Sequence, residues 1–107
     1  MMRLVLGTLA VVVALLGLGF AALHRGDIPY ATLDAKYRNA DSRMLDLGDG
    51  LVVHWRDAGN PAGRPLLLVH GFSSSVQSWE KWTPLLEGDY RLISVDLPGH
   101  GLTRTPA

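Results

Sequence analysis

The stretch "LLLVHGFSSS", residues 66–75, runs a continuous apolar segment into a histidine, a glycine, an aromatic ring and three serines. Apolar residues in a row, without polar alternation, fit a strand covered on both faces. "RLISVD", residues 91–96, supplies a second such strand about twenty residues later. Between them Trp79, Trp82 and Leu86 recur at helical spacing, while Pro84 requires either a kink or a restart with Thr83 as N-cap. Strand, helix and strand with short joints make a βαβ unit, which puts both strand ends on one edge of a parallel sheet. Ligands of such sheets bind beyond that edge. The same edge carries "HGFSSS" after the first strand and "DLPGHG" after the second.

Upstream, "SRMLDLGDGLVVHWRDAG", residues 42–59, places the turn pair Asp49-Gly50 between two runs rich in β-branched and aromatic residues. The pattern predicts an antiparallel hairpin with strands near 42–47 and 51–57. "NPAGRP", residues 60–65, is then a surface loop. In "IPYATLDAKY", residues 28–37, Pro29 suits a first helical turn, and Tyr30, Leu33 and Tyr37 fall on one face.

The first quarter of the chain reads differently. Residues 4–23, "LVLGTLAVVVALLGLGFAAL", hold no charge and as a helix would span roughly 30 Å, the thickness of a bilayer core. A cleaved signal peptide is the competing reading, with Gly19 and Ala21 at a cleavage spacing before Ala22. The apolar region is longer than a signal needs, which favours an uncleaved anchor. Arg3 lies on one side of it and Arg25, Lys36 and Arg38 on the other, so charge specifies orientation weakly. We expect a single-pass protein with its domain on the extracytoplasmic side, the alternative being secretion after cleavage. The expected division is a membrane anchor or signal peptide over 1–25, a juxtamembrane helical linker over 26–41 and a folded domain over 42–107.

Ten basic and ten acidic residues balance with no run of like charge, which gives no footprint for nucleic acid. The absence of cysteine excludes disulfides, thiolate metal sites and cysteine nucleophiles. No histidine and carboxylate spacing suits a metal, and no cofactor motif is complete. "PGHG" lacks the third glycine of a dinucleotide loop, because Arg104 stands in its place. Oligomeric state has no signal in the sequence.

Four serines, Ser73, Ser74, Ser75 and Ser78, are the available hydroxyl nucleophiles, and a catalytic serine needs a positioned base and a strained elbow such as G-x-S-x-G. Gly71-Phe72-Ser73-Ser74-Ser75 begins like that elbow and lacks its closing glycine, so these serines read as loop and cap residues. His70 reads as a loop-shaping residue, and His54 and His100 as ordinary polar positions. Gly71 would let the backbone approach a substrate closely, leaving the N–H of Phe72 free to act as an oxyanion donor. Asp96, Pro98, Gly99 and Gly101 form a structural turn signal.

Taken together, "LLLVHGFSSSVQSW", "YRLISVDLPGHGLT" and the hairpin before them resemble the amino-terminal part of the α/β-hydrolase superfamily over about 42–106. The resemblance implies an α/β fold in which an antiparallel hairpin and a βαβ unit open a mostly parallel eight-stranded sheet, here preceded by the transmembrane helix. It also implies an oxyanion-hole amide after the third strand, which maps to the backbone N–H of Phe72. His70 and Gly71 would shape that loop, and Ser73 would neighbour the substrate pocket. The family's nucleophile, acid and catalytic histidine follow later in chain order. The expectation is therefore an amino-terminal fragment of a membrane-anchored, cofactor-free hydrolase acting on a small-molecule substrate. The alternative is a non-catalytic anchored binding protein of the same fold, or a non-functional truncated product. Nothing in residues 1–107 distinguishes a serine from an aspartate nucleophile, or ester, amide and carbon–carbon cleavage from epoxide or halide cleavage.

Overall fold

A computed structural model describes residues 1–106; Ala107, the last residue of the expected domain, lies outside the described residues. Helix α1 spans Met2–Leu23 and helix α2 spans Tyr30–Tyr37. Four strands follow: β1 (Ser42–Asp46), β2 (Val52–Gly59), β3 (Arg64–Val69) and β4 (Tyr90–Val95), in the spatial order β1-β2-β4-β3. The β1/β2 and β2/β4 pairs are antiparallel and β3/β4 is parallel, so the sheet is mixed.

The hairpin turn follows from its central pair. Asp49 and Gly50 have φ of 51° and 80°, and the Leu51 amide donates to the Gly48 carbonyl at 2.9 Å. Positive φ at both central residues gives the mirror-image turn whose twist matches two antiparallel strands. Beyond it β2 runs two residues further than expected, because its antiparallel pairing with β4 continues to Gly59↔Arg91.

The crossover from β3 to β4 is less regular than the tryptophan spacing predicts. It consists of a 3-10 turn over Val76–Trp79 and a four-residue helix α3, Thr83–Leu86. Pro84 has no N–H and its ring obstructs the carbonyl four residues back, so one continuous helix cannot pass through it. Thr83 is not the N-cap. Trp82 takes that position, and the Thr83 hydroxyl bonds back to the Trp79 carbonyl at 3.0 Å.

The expectation of two covered sheet faces is also corrected. One face carries Ser42, His54, Arg56, Leu92 and Ser94, all buried, with the crossover elements packed against the sheet. By the strand register the other face carries Leu45, Val53, Trp55, Ile93, Val95, Leu67 and Val69. Among the described residues no helix covers it, and Leu67 is 68% exposed. A single βαβ crossover can lay its helix on only one side of the sheet, so the continuous apolar runs of β3 and β4 exceed what these residues cover.

Helix α1 buries none of its residues, and its leucines and valines are exposed around the whole circumference. Its Thr8 hydroxyl donates to the Leu4 carbonyl at 2.9 Å, which satisfies the hydroxyl within the helix. At 22 residues it is about 33 Å long. One amino-terminal helix of this length and composition fits either a membrane span or a signal sequence.

An edge strand with exposed Leu67 and Val69 beside an uncovered face is a template for association. A polypeptide spanning residues 28–107 alone is therefore expected to precipitate, or to bind a hydrophobic dye without a cooperative melt. A soluble preparation with a sharp calorimetric transition would overturn that expectation.

Candidate active-site edge

Both strand-end loops are organised from Asp96, the residue just after β4, whose side chain is fully buried. One carboxylate oxygen accepts the Val76 amide at 2.8 Å. The other accepts the Leu102 amide at 2.9 Å and faces His54 Nδ1 at 2.7 Å. Because a carboxylate only accepts, His54 must carry a hydrogen on Nδ1. Its Nε2 lies 2.9 Å from the Ser42 hydroxyl. The backbone of Asp96 joins in: its amide donates to the His54 carbonyl at 3.0 Å and its carbonyl accepts the Thr103 hydroxyl at 2.6 Å. The Thr103 oxygen in turn accepts the His54 amide at 3.0 Å.

Burial raises the carboxyl pKa of Asp96. The His54 hydrogen bond, the Leu102 and Val76 amides and the neighbouring imidazole outweigh that effect and hold it below the usual carboxylate range. Gly101, at φ 52°, packs against this carboxylate so closely that a Cβ there would collide with it. That contact gives the "PGHG" glycine a steric reason the turn reading did not contain.

Ser42, His54 and Asp96 are spaced like a hydrolytic triad, but His54 and Asp96 have no solvent exposure and Ser42 has 6%. The clefts of about 360, 180 and 420 Å³ around this domain are lined by none of the three. The line of hydrogen bonds is a structural brace between β1, β2 and the end of β4.

The loop after β3 stands out from the sheet. His70 is buried, with Nδ1 2.8 Å from the Gly71 carbonyl and Nε2 accepting the Leu97 amide at 3.0 Å. Phe72 is 96% exposed, and among the described residues its amide has no hydrogen-bond partner. An added Cβ at Gly71 would meet nothing within 4 Å, so the space on the Cβ side of Gly71 is open. Ser73 takes a left-handed φ of 56°, uncommon for a residue with a side chain, and its amide donates to His100 Nε2 at 3.3 Å. Ser75 caps the 3-10 turn by accepting the Gln77 amide. Ser73 lines a cleft of about 360 Å³ with Ser74, Ser75, Gln77, Gly101, Leu102, Leu33 and Tyr37. Pro98 and Gly99 form the exposed tip of the facing turn.

Two features of this edge escaped the sequence reading. His54 is the carboxylate's partner rather than an ordinary polar residue, a role set by a strand register that brings residues 54 and 96 together. Helix α2 also docks on the edge. Asp34 pairs with Arg104 at 2.6 Å, the Arg104 guanidinium lies 5.3 Å from the Tyr30 ring, and Arg56 donates to the Tyr37 carbonyl at 3.0 Å. The one-face pattern of Tyr30, Leu33 and Tyr37 was the available signal. On β2 and β4, Arg91 holds Asp57 through two hydrogen bonds, of 2.9 and 2.5 Å, and the Asp57 carboxyl sits below its ordinary range chiefly for that reason.

Residues 64–107 match the family model described as the alpha/beta hydrolase fold. An uncharacterized hydrolase of Saccharomyces cerevisiae is 40% identical over 62 residues, which make up 58% of this chain and 21% of that protein. The crystal structure of an esterase from Rhodococcus superposes with a TM-score of 0.57 at 45% identity, covering 62% of this chain and 24% of the esterase. A bacterial membrane phospholipase A, described as a virulence factor, superposes with a TM-score of 0.57 at 26% identity. That alignment covers 99% of this chain and 34% of the phospholipase. The chain thus spans about a third or less of the length of these proteins, and the resemblance read from the two loop motifs is borne out.

The depressed pKa of Asp96 makes a pH prediction. Its contribution to stability is fully present above the unfolded carboxylate value of about 3.9 and is lost as pH falls through the lower folded value. Asp96→Asn is expected to cost about 3 kcal/mol near neutral pH and to flatten the loss below pH 4. Asp57, also depressed, leaves a residual slope that added salt weakens, because that pair is solvent-exposed. Denaturant midpoints of the full-length protein and its Asp96→Asn variant from about pH 2 to 7, with and without salt, check this.

Proposed function

We propose that this chain, a segment of the α/β-hydrolase superfamily, supplies the oxyanion side of a membrane-anchored, cofactor-free hydrolase that cleaves carboxylic esters. The observation that carries the reading is the Phe72 amide, which has no partner among the described residues, at an exposed loop tip on the carboxyl edge of the sheet next to the open side of Gly71. A nucleophile, its histidine base and an acid would come from sequence beyond these 107 residues. When the nucleophile adds to an ester carbonyl, negative charge develops on the carbonyl oxygen, and a backbone N–H aimed at that oxygen stabilises the transition state more than the ground state. Ester cleavage is the class proposed because addition to an ester carbonyl develops charge on the carbonyl oxygen in the first step, where such a donor can meet it. The esterase and phospholipase likenesses support the same class.

His70 and Gly71 shape the loop, and Ser73 lines the adjoining cleft as a contact for the substrate. Anchoring rests on α1, with its uncharged span and fully exposed apolar surface, and is supported by the likeness to the phospholipase along nearly the whole chain. In the proposed arrangement the domain lies outside the cytoplasm and α1 is retained. Residues 26–41 then link the anchor to a catalytic domain that begins at 42.

Replacing the Phe72 side chain leaves the amide in place, whereas proline removes it. In the full-length hydrolase, Phe72→Pro is expected to lower kcat on a p-nitrophenyl ester by about 10²–10³-fold while Phe72→Ala stays within a few-fold. Equal losses in the two variants would defeat the oxyanion assignment. Anchoring predicts that the protein stays with membranes in alkaline carbonate and keeps Met1 in its intact mass. Release into the soluble fraction, with a mass lacking the first twenty or so residues, would point to the cleaved signal instead.

A further inference from the structure

We propose that His100 is a positioning residue for the oxyanion loop: by accepting the Ser73 amide it holds the left-handed turn that presents the Phe72 N–H. The inference rests on the oxyanion reading of Phe72 and adds a residue to it.

Two imidazoles join the loops after β3 and β4 in opposite senses. His70, from the first loop, accepts the Leu97 amide of the second at 3.0 Å. His100, from the second, accepts the Ser73 amide of the first at 3.3 Å. Each ring turns its other nitrogen to a carbonyl of its own loop, His70 Nδ1 to Gly71 at 2.8 Å and His100 Nδ1 to Pro98 at 3.1 Å. A carbonyl requires a donor and an amide requires an acceptor, so both rings need their hydrogen on Nδ1 and a lone pair on Nε2. The centroids of the two rings are 5.1 Å apart, and the Phe72 ring meets His100 edge-on at 6.3 Å.

The residue latched by His100 is the one with unusual backbone geometry. Ser73 sits at φ 56°, immediately after the amide that must be aimed. A serine has no intrinsic reason to remain there, and local hydrogen bonds are what hold non-glycine residues in this region. Without the latch, Ser73 is free to return to negative φ, which swings the Phe72–Ser73 peptide and, through the Phe72 Cα, shifts the Phe72 N–H one peptide further back. His70 cannot substitute, because its bonds end at Gly71, before Phe72 in sequence, and at Leu97 in the facing loop, and neither reaches Ser73.

The test uses three variants of the full-length protein. His100→Gln can place an amide oxygen near the lost Nε2, whereas His100→Asn can reach the Pro98 carbonyl but not Ser73. On p-nitrophenyl butyrate, His100→Ala and His100→Asn are expected to lose about 10–100-fold in kcat with KM within about twofold. His100→Gln should retain kcat within about threefold. Independently of activity, Ser73 amide exchange in detergent micelles should accelerate in the alanine and asparagine variants only, and imidazole nitrogen shifts should report hydrogen on Nδ1 of His70 and His100. Unchanged Ser73 exchange in His100→Ala, or equal behaviour of the glutamine and asparagine variants, overturns the latch. If exchange accelerates but Phe72→Pro leaves kcat intact, the latch stands and the oxyanion reading fails. If Phe72→Pro is crippled and His100→Ala is not, the reading stands and the positioning role fails.

Discussion

A single buried carboxylate sets the geometry of this domain. Asp96 is the first residue beyond β4, and three donors converge on it, from the start of the crossover, from the turn that follows it and from the middle of β2. A carboxylate taken out of water is costly unless its lone pairs are met, and here the Val76 and Leu102 amides and His54 Nδ1 meet them. Meeting them fixes the positions of Val76, Leu102 and His54 relative to one another. Both loops on the carboxyl edge therefore take their starting points from one side chain, and Gly101 is required because a larger residue would displace that side chain.

This constraint separates the role of holding the edge from the role of acting at it. The groups beneath the edge, Asp96, His54, Thr103 and Ser42, are buried and mutually satisfied, and so are unavailable to a ligand. The groups above it, the Phe72 amide and the serines of the cleft wall, face open space. Helix α2 belongs to the upper layer, since Leu33 and Tyr37 line the cleft while Asp34 and Tyr30 grip Arg104. A segment that reads as a linker thus contributes to the candidate site. It also ties the start of the domain, and the apolar helix before it, to the edge where chemistry would occur.

What was legible in the sequence was what repeats locally. Apolar runs and a turn pair identified all four strands to within two residues, because β3 and β4 are continuous apolar runs and β1 and β2 flank the Asp49-Gly50 turn. Helical spacing misled in the crossover, where one proline outweighs three well-spaced apolar residues. The aspartate and the two glycine-containing loops were recognisable as motifs, but their mechanism was not. His54 and Asp96 are 42 residues apart, and their meeting depends on the β2/β4 register, which no local pattern encodes. The docking of α2 through Arg104 spans 70 residues and is hidden for the same reason.

The composition of the covered face then explains why the motif must be kept whole. Among the described residues the buried hydrophobes are Val76, Leu92 and Leu102, against the buried polar or charged Ser42, His54, Arg56, His70, Ser94, Asp96 and Thr103. Apolar burial on that scale is too small to tolerate an unsatisfied charge, since one orphaned ion costs as much as burying one or two leucines returns. A polar network in low dielectric is strong when complete and destabilising when any member is missing. Asp96, Gly101 and His54 therefore act as a unit. The resemblance to a triad in Ser42, His54 and Asp96 follows from the same requirement, because an imidazole between a carboxylate and a hydroxyl meets the needs of all three groups. The same arrangement becomes catalytic only where the hydroxyl is exposed, and here the fold exposes a backbone amide instead.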